Sequence, residues 1–296
     1  MRMELRVLRY FLAVAREESI SGAAQFLHIT QPTLSRQLME LEEELGVKLL
    51  SRGRKNRKVQ LTEEGMLLRR RAEEILELAD KTQAELSTSS DAISGDIFIG
   101  GGETDAMRLI AKTAKALQRD YPNIRYHLYS GNADDVAERL DKGLLDFGIV
   151  IEPAKMERYN YVRLPVTDTW GLLMQKNHPL ARKSAIGPED LIGLPLLTSR
   201  QSMVKNELSG WFGHRVESLN IVATYNLVYN ASLMVDEGFG LALCLDKLVN
   251  TSGDSNLCFR PLEPGLKAHL NIVWKKYQVF SKATELFLER LQQDLL

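Results

Sequence analysis

Cysteine is nearly absent from this chain of 296 residues, which holds only Cys244 and Cys258. That excludes a disulfide scaffold, and both are expected as free thiols in or near strands of a protein kept in a reducing compartment. A redox pair built from them needs thiols of lowered pKa, and only Arg260, close to Cys258, is a basic neighbour. Long apolar runs are absent too. No stretch approaches the roughly eighteen residues of a membrane span, and no apolar run follows a charged start, so the expected location is cytoplasmic, with no membrane partner. The five histidines, His28, His127, His178, His214 and His269, are scattered without metal-ligand spacing or an adjacent nucleophile motif. No metal site and no catalytic residue are therefore expected. Gly100-Gly101-Gly102 lacks both the spacing of a dinucleotide fingerprint and the lysine of a phosphate loop, so the expectation is no cofactor and no enzyme.

Charge is nearly balanced overall, at −1, but unevenly placed. Residues 1 to 71 carry 14 Lys and Arg against 9 acids, while the remainder carries 24 against 30. The basic part is thus the amino end, where a polyanion would bind. Local chemistry there marks two helices joined by a turn. Ser19 and Ser21 can cap a short helix with Ile20, Ala23, Ala24 and Leu27 at helical spacing. Pro32 is tolerated only in a first turn, so a second helix starts beside it, with Leu34, Leu38, Leu41 and Leu45 on one face and Gly46 at its end.

The other face holds Thr30, Gln31, Pro32, Thr33, Ser35, Arg36 and Gln37, a set able to meet base edges and phosphates of double-stranded DNA. Arg52, Arg54, Lys55, Arg57 and Lys58 follow as a basic hairpin suited to backbone phosphates. Helix, turn, helix and basic ribbon in this order predict a winged helix-turn-helix.

The ordered string of Leu8-Arg9-Tyr10-Phe11, Ala23-Ala24, Leu27-His28, Gln31 to Gln37, Leu41 to Leu50 and Leu61-Thr62-Glu63-Glu64-Gly65 resembles the DNA-binding region of the LysR-type transcriptional regulators. Tyr121-Pro122, Gly143 to Ile149 and Val235 to Ala242 resemble that family's effector-binding region, which is similar to the periplasmic solute-binding fold. The resemblance implies a transcriptional regulator controlled by a small-molecule effector of unknown identity. It also implies a homodimer, a homotetramer as the usual family assembly, and RNA polymerase as a further candidate partner.

From about Thr62 to Leu86 a third amphipathic helix is predicted, with Leu68, Ala72, Ile75, Ala79, Thr82 and Leu86 on a seam of alternating three and four spacing. Such a seam, running roughly 40 Å at about 1.5 Å per residue, needs a partner. A second copy is the favoured one, and the chain's own body is the alternative. Beyond a polar hinge at 87 to 91, strands at 97 to 100, 124 to 129 and 147 to 150 alternate with helices at 104 to 119 and 134 to 142. A second set of strands follows at 170 to 174, 195 to 198, 221 to 224, 241 to 244 and 270 to 274, before a helix from 281 to 293.

The expected fold is α/β overall. A winged helix-turn-helix occupies 1 to 61, a linker helix and hinge 62 to 90, and a two-lobed effector domain 91 to 296. Lobe I is about 91 to 164 with 267 to 296, and lobe II about 165 to 266. A free-standing solute receptor would match the second part of the chain and leave the first unexplained.

In open α/β sheets, ligands settle beyond the carboxyl ends of strands. That rule selects Gly102, Glu103, Thr104, Ser130, Gly131, Ile151, Thr198, Arg200, Ser202, Tyr225 and Asn226 as the effector set. Glu103 is expected either to meet a cation or donor on the effector, with Arg200 taking an anionic end, or to cap its helix or pair with Arg200.

Overall fold

A computed structural model describes residues 3–52, 58–86, 93–152, 157–200, 207–213 and 218–295. The chain forms two compact units, residues 1–87 and 88–296.

In the first unit, α1 (Leu5–Glu17) buries Val7, Leu8, Phe11 and Val14, one helical face, and stops at Glu18 in the left-handed region. Short α2 (Ile20–Phe26) is capped by Ser19, whose Oγ accepts from the Gly22 N–H at 3.1 Å. The recognition helix α3 (Gln31–Leu45) starts with Thr30 accepting from Thr33 N–H and Pro32 in its first turn, and ends at Gly46 with φ of 68°. Leu34, Leu38 and Leu41 fill the core against Ala23, Ala24 and Phe11. Small alanines allow α2 to cross close to its neighbours, which frees the opposite face of α3 for solvent.

Antiparallel β1 (Leu50–Arg52) and β2 (Val59–Leu61) form the root of the wing, with Leu50 opposite Leu61. Two anchors fix it. Glu42, nearly buried, accepts from the N–H groups of Leu49 and Leu50 at 2.8 and 3.1 Å and from Lys48 Nζ at 2.6 Å. At the other strand, Val59 N–H donates to the Glu18 carbonyl and Lys58 Nζ to the Glu18 carboxylate at 2.6 Å.

The linker α4 (Glu63–Leu86) begins with Thr62 accepting from Gly65 N–H at 2.9 Å. Its stripe is divided. Leu68, Ala72 and Ile75 join Leu76 in packing on Leu8 of α1 in the same chain, and Ala72 has no exposure at all. Ala79 is half-buried, while Thr82 and Leu86 are exposed, Leu86 by 82%.

The second unit is a mixed sheet in the order β4-β3-β5-β11-β6-β9-β7-β8, with β10 also pairing β6. In lobe I, β3 (Gly95–Gly101) lies between parallel β4 (Ile124–Ser130) and β5 (Phe147–Ile151), with α5 (Met107–Asp120) and α6 (Ala133–Asp141) as crossovers. In lobe II, β7 (Pro195–Ser199) lies between parallel β8 (Asn220–Tyr225) and β9 (Leu241–Leu245). Two further helices, α7 (Glu207–Phe212) and α8 (Val228–Asp236), belong to this lobe, with β10 (Leu257–Pro261) against β6.

The lobes are joined by β6 (Tyr159–Gln175), which pairs with β11 (Lys267–Lys275) through Thr169 and with β9 from Trp170 onward. The closing helix α9 (Lys282–Asp294) returns to lobe I, where Phe287 and Leu291 pack with Ile97 and Phe147. The expected α/β architecture of head, linker helix and two lobes is therefore present, and three details differ from expectation. Strand β6 starts eleven residues before Trp170, because its first half is exposed on one side and carries Pro165, near which the β11 register shifts. Helix α5 starts at Met107 instead of Thr104, because the Thr104 hydroxyl is held elsewhere. Helix α8, β10 and α7 were not anticipated as elements.

Candidate DNA interface and effector cleft

On α3, Thr30, Gln31, Pro32, Thr33 and Arg36 are exposed, and Ser35 and Gln37 are half-exposed beside them. They are pre-ordered by neighbours on the same helix. Gln31 Nε2 donates to Ser35 Oγ at 2.8 Å, and Arg36 Nε and Gln37 Nε2 both donate to the Glu40 carboxylate at 2.8 Å. With Nε so held, the two Nη groups of Arg36 remain as a donor pair of the kind that matches guanine O6 and N7. Glu40 was missed from sequence, although its three- and four-residue spacing from Gln37 and Arg36 is a legible signal. Arg52 contributes its backbone to β1, while its side chain, and Arg54, Lys55 and Arg57 entirely, lie outside the described residues.

In the second unit, Gly101, Gly102, Glu103, Thr104 and Ser130 border an open hollow of about 540 Å³ at the carboxyl ends of β3 and β4, lined on the lobe II side by Lys247 and Leu248. Gly102, Glu103 and Thr104 also meet Ile151 around a narrow gap of about 30 Å³. Gly131 stands just behind, its carbonyl facing Gly102. Thr198 is buried in β7, Arg200 is exposed, and Asn226 turns its Oδ1 to the Leu227 N–H at 2.9 Å. Tyr225 faces inward and donates to the Leu243 carbonyl at 2.5 Å. Ser202 lies outside the described residues. Of the expected lobe I residues, Gly102, Glu103, Thr104 and Ser130 thus line one hollow, Ile151 lines only the narrow gap, and Gly131, like Thr198, Arg200, Tyr225 and Asn226, lines neither.

Three consecutive residues reach away from lobe I. Glu103 accepts from the Val228 N–H in the first turn of α8, so it does cap a helix, but one in the facing lobe. Thr104 Oγ donates to Asp168 on β6 at 2.5 Å and accepts from Ala106 N–H at 3.1 Å. Asp105 accepts from Arg108 Nε at 2.6 Å and lies 3.8 Å from Lys247 Nζ, which is 3.6 Å from Asp246. Burial pushes the Asp168 carboxyl above the usual range; the Thr104 hydroxyl opposes that, and the nearby Asp246 adds to it.

Both thiols are buried. Burial pushes Cys244 up to about 12, and Cys258 is also raised by burial despite Arg260 and Lys176. They occupy β9 and β10, which flank β6 on opposite sides, about 10 Å apart at two strand spacings. Their side chains also pack in different clusters, so the roughly 7 Å limit for a disulfide is exceeded. Among the described residues no cluster of three or more His, Cys, Asp or Glu could hold a metal ion, and no helix is long and apolar enough to cross a membrane.

The exposed α3 face and the two-lobed cleft are matched by two family models. The bacterial regulatory helix-turn-helix model of the lysR family covers residues 5–66, and the LysR substrate binding domain covers 90–296. The chain belongs to the LysR family of transcriptional regulators. Among its relatives, the HTH-type regulator YvbU of Bacillus subtilis is 26% identical over 98% of both chains. The hydrogen peroxide-inducible genes activator of Dickeya chrysanthemi is 32% identical over 66% of this chain and 63% of its own length. The crystal structure of CbnR, at 21% identity, superposes with a TM-score of 0.80 over 99% of this chain and all of that one, a likeness of fold. This LysR-type protein is accordingly a DNA-binding transcriptional regulator with an effector domain.

Proposed function

We propose that this LysR-type regulator reads its operator with Thr33, Ser35, Arg36 and Gln37 in the major groove. Thr30, Gln31 and Pro32 then lie at the helix entry, and the basic wing of Arg52, Arg54, Lys55 and Arg57 lies over phosphates. A small-molecule effector occupies the cleft around Gly102, Glu103, Thr104 and Ser130, and changes how two or four copies space their heads on DNA. The linker stripe from Ala79 through Thr82 to Leu86 pairs the copies where α1 leaves it open. The protein works in the cytoplasm, binds no cofactor or metal, and catalyses no reaction. RNA polymerase is a further partner.

The observation that carries the reading is the exposed, pre-ordered face of α3, where Arg36 pairs with Glu40 of its own helix and faces solvent. Purified protein mixed with sheared genomic duplexes of its host should enrich a small set of fragments, and Arg36→Ala should lose about 1–3 kcal/mol on those fragments while remaining folded and oligomeric. Equal affinity of both proteins for the enriched fragments at moderate salt would refute the assignment. Peroxide sensing, raised by the name of the Dickeya relative, is not favoured, because burial raises both thiols and the fold separates them.

A further inference from the structure

We propose that Glu103 is an interlobe latch, a resident carboxylate that holds the cleft closed by capping α8 and whose release moves the regulator toward its effector-bound state. The inference deepens the effector reading above and rests on it.

Helix α8 has no cap of its own. Its cap position is Leu227, which has no side-chain acceptor, and Asn226 has turned its Oδ1 to the Leu227 N–H. The free N–H groups of a helix amino terminus carry a partial positive charge, and a carboxylate satisfies both the donor and the field. Glu103 supplies one to Val228, from a position 125 residues earlier and in the other lobe.

The segment bearing Glu103 is held from behind. Thr104 is bonded to buried Asp168, two residues before Trp170, where β6 leaves β11 and takes up β9 and β10. Asp105 lies beside Lys247 of lobe II. The root of the latch is thus tied to the crossing strand while its tip reaches across the cleft. Strand β6 is the place where a rotation of one lobe on the other would be absorbed. Glu103 and Thr104 also line the 540 Å³ hollow, so a ligand settling there meets the latch directly. Closure and ligand entry therefore compete for the same carboxylate, and this makes the contact a switch instead of a simple cap.

Hydrogen exchange on the full-length protein, read by mass spectrometry, separates the latch from a general structural role. In Glu103→Ala the first turn of α8 should exchange at least tenfold faster, and in Glu103→Gln less so, since the amide oxygen still accepts from Val228. The core strands β7 and β9 should keep their protection in both. Unchanged exchange at α8, or equal loss of protection across lobe II, would overturn the latch.

Footprinting on genomic fragments enriched by the wild-type protein supplies the second arm. Without any added effector, Glu103→Ala should protect a stretch of different length or position, and an identical footprint would overturn the coupling to DNA. Should the wild-type protein enrich no fragment, the regulator reading fails, while the exchange arm still decides the latch.

Discussion

The DNA-binding unit caps three of its four helices, α2, α3 and α4, with near neighbours, and the effector cleft secures one of its helices from across the domain. Ser19 caps through Gly22, Thr30 through Thr33 and Thr62 through Gly65, each three residues on. In the second unit, α6 and α9 follow the same rule, with Asn132 and Ser281 as caps. Helix α8 alone among these takes its carboxylate from Glu103. A local cap keeps a helix the same in every state of the protein, whereas a distant one makes that helix depend on where the lobes lie. The head is built to present one surface, and under the proposed latch the cleft has two arrangements.

The largest effect that would break this contrast is expected in the head. A Cβ at Gly65 would stand 2.1 Å from the Leu49 carbonyl oxygen, backbone that cannot step aside. Gly65→Ala should cost about 3 kcal/mol or more and lower the melting transition of the head, since overpacking against fixed atoms is seldom relieved. A melting curve like that of the wild type would show that the wing root yields.

Next in size is Glu42→Gln, expected to cost about 1.5–3 kcal/mol through its charge-assisted bonds to Lys48, Leu49 and Leu50. Burial alone would raise the Glu42 carboxyl, but the Lys48 ammonium and the two N–H groups outweigh it and hold it below the usual range. Its stabilisation is therefore complete above the ordinary carboxylate pKa and is lost as pH falls through the lowered folded value. Denaturation of wild type and variant should differ most near neutrality and converge in acid. A difference that grows in acid would contradict the assignment.

Ser19→Ala comes third, at about 1 kcal/mol, and should be felt in the head alone. Exchange that also accelerated in the lobes would erase the contrast between local and distant capping.

The smallest effect has the opposite sign. Asp168 is raised by burial, so its ionised form is penalised at neutral pH, and Asn at this position can still accept from Thr104. The raised value means that stability present below about pH 4 is lost as pH rises through the folded pKa. Asp168→Asn should thus match or slightly exceed wild-type stability at pH 7 and show no advantage below pH 4. A lower melting temperature at pH 7 would mean that the charge itself holds the loop at 103 to 105.

Legibility from sequence followed the same division. Pro32, Gly46 and the leucine spacing placed α3 to within a residue, because those signals act within one or two turns. The βαβαβ rhythm placed β3, β4 and β5 for the same reason. What escaped was fixed by distant contacts. The first half of β6 reads as polar and broken by Pro165, yet pairs with β11 more than a hundred residues later. Helix α8 has Leu227 at its cap position and opens with Val228 and Tyr229, poor starting residues, and is completed by Glu103. Glu103 stood out in sequence as a carboxylate at a strand end, but its partner could not be read before the lobes were brought together. The linker seam was legible as a stripe, while its division between α1 and the exposed end depended on how α1 folds back.

The most direct test of the central claim is genome-wide immunoprecipitation of the tagged protein in its own host, repeated with Arg36→Ala. The account predicts discrete, reproducible peaks for the wild type that vanish in the variant at equal protein level. The same peaks in both proteins would contradict it.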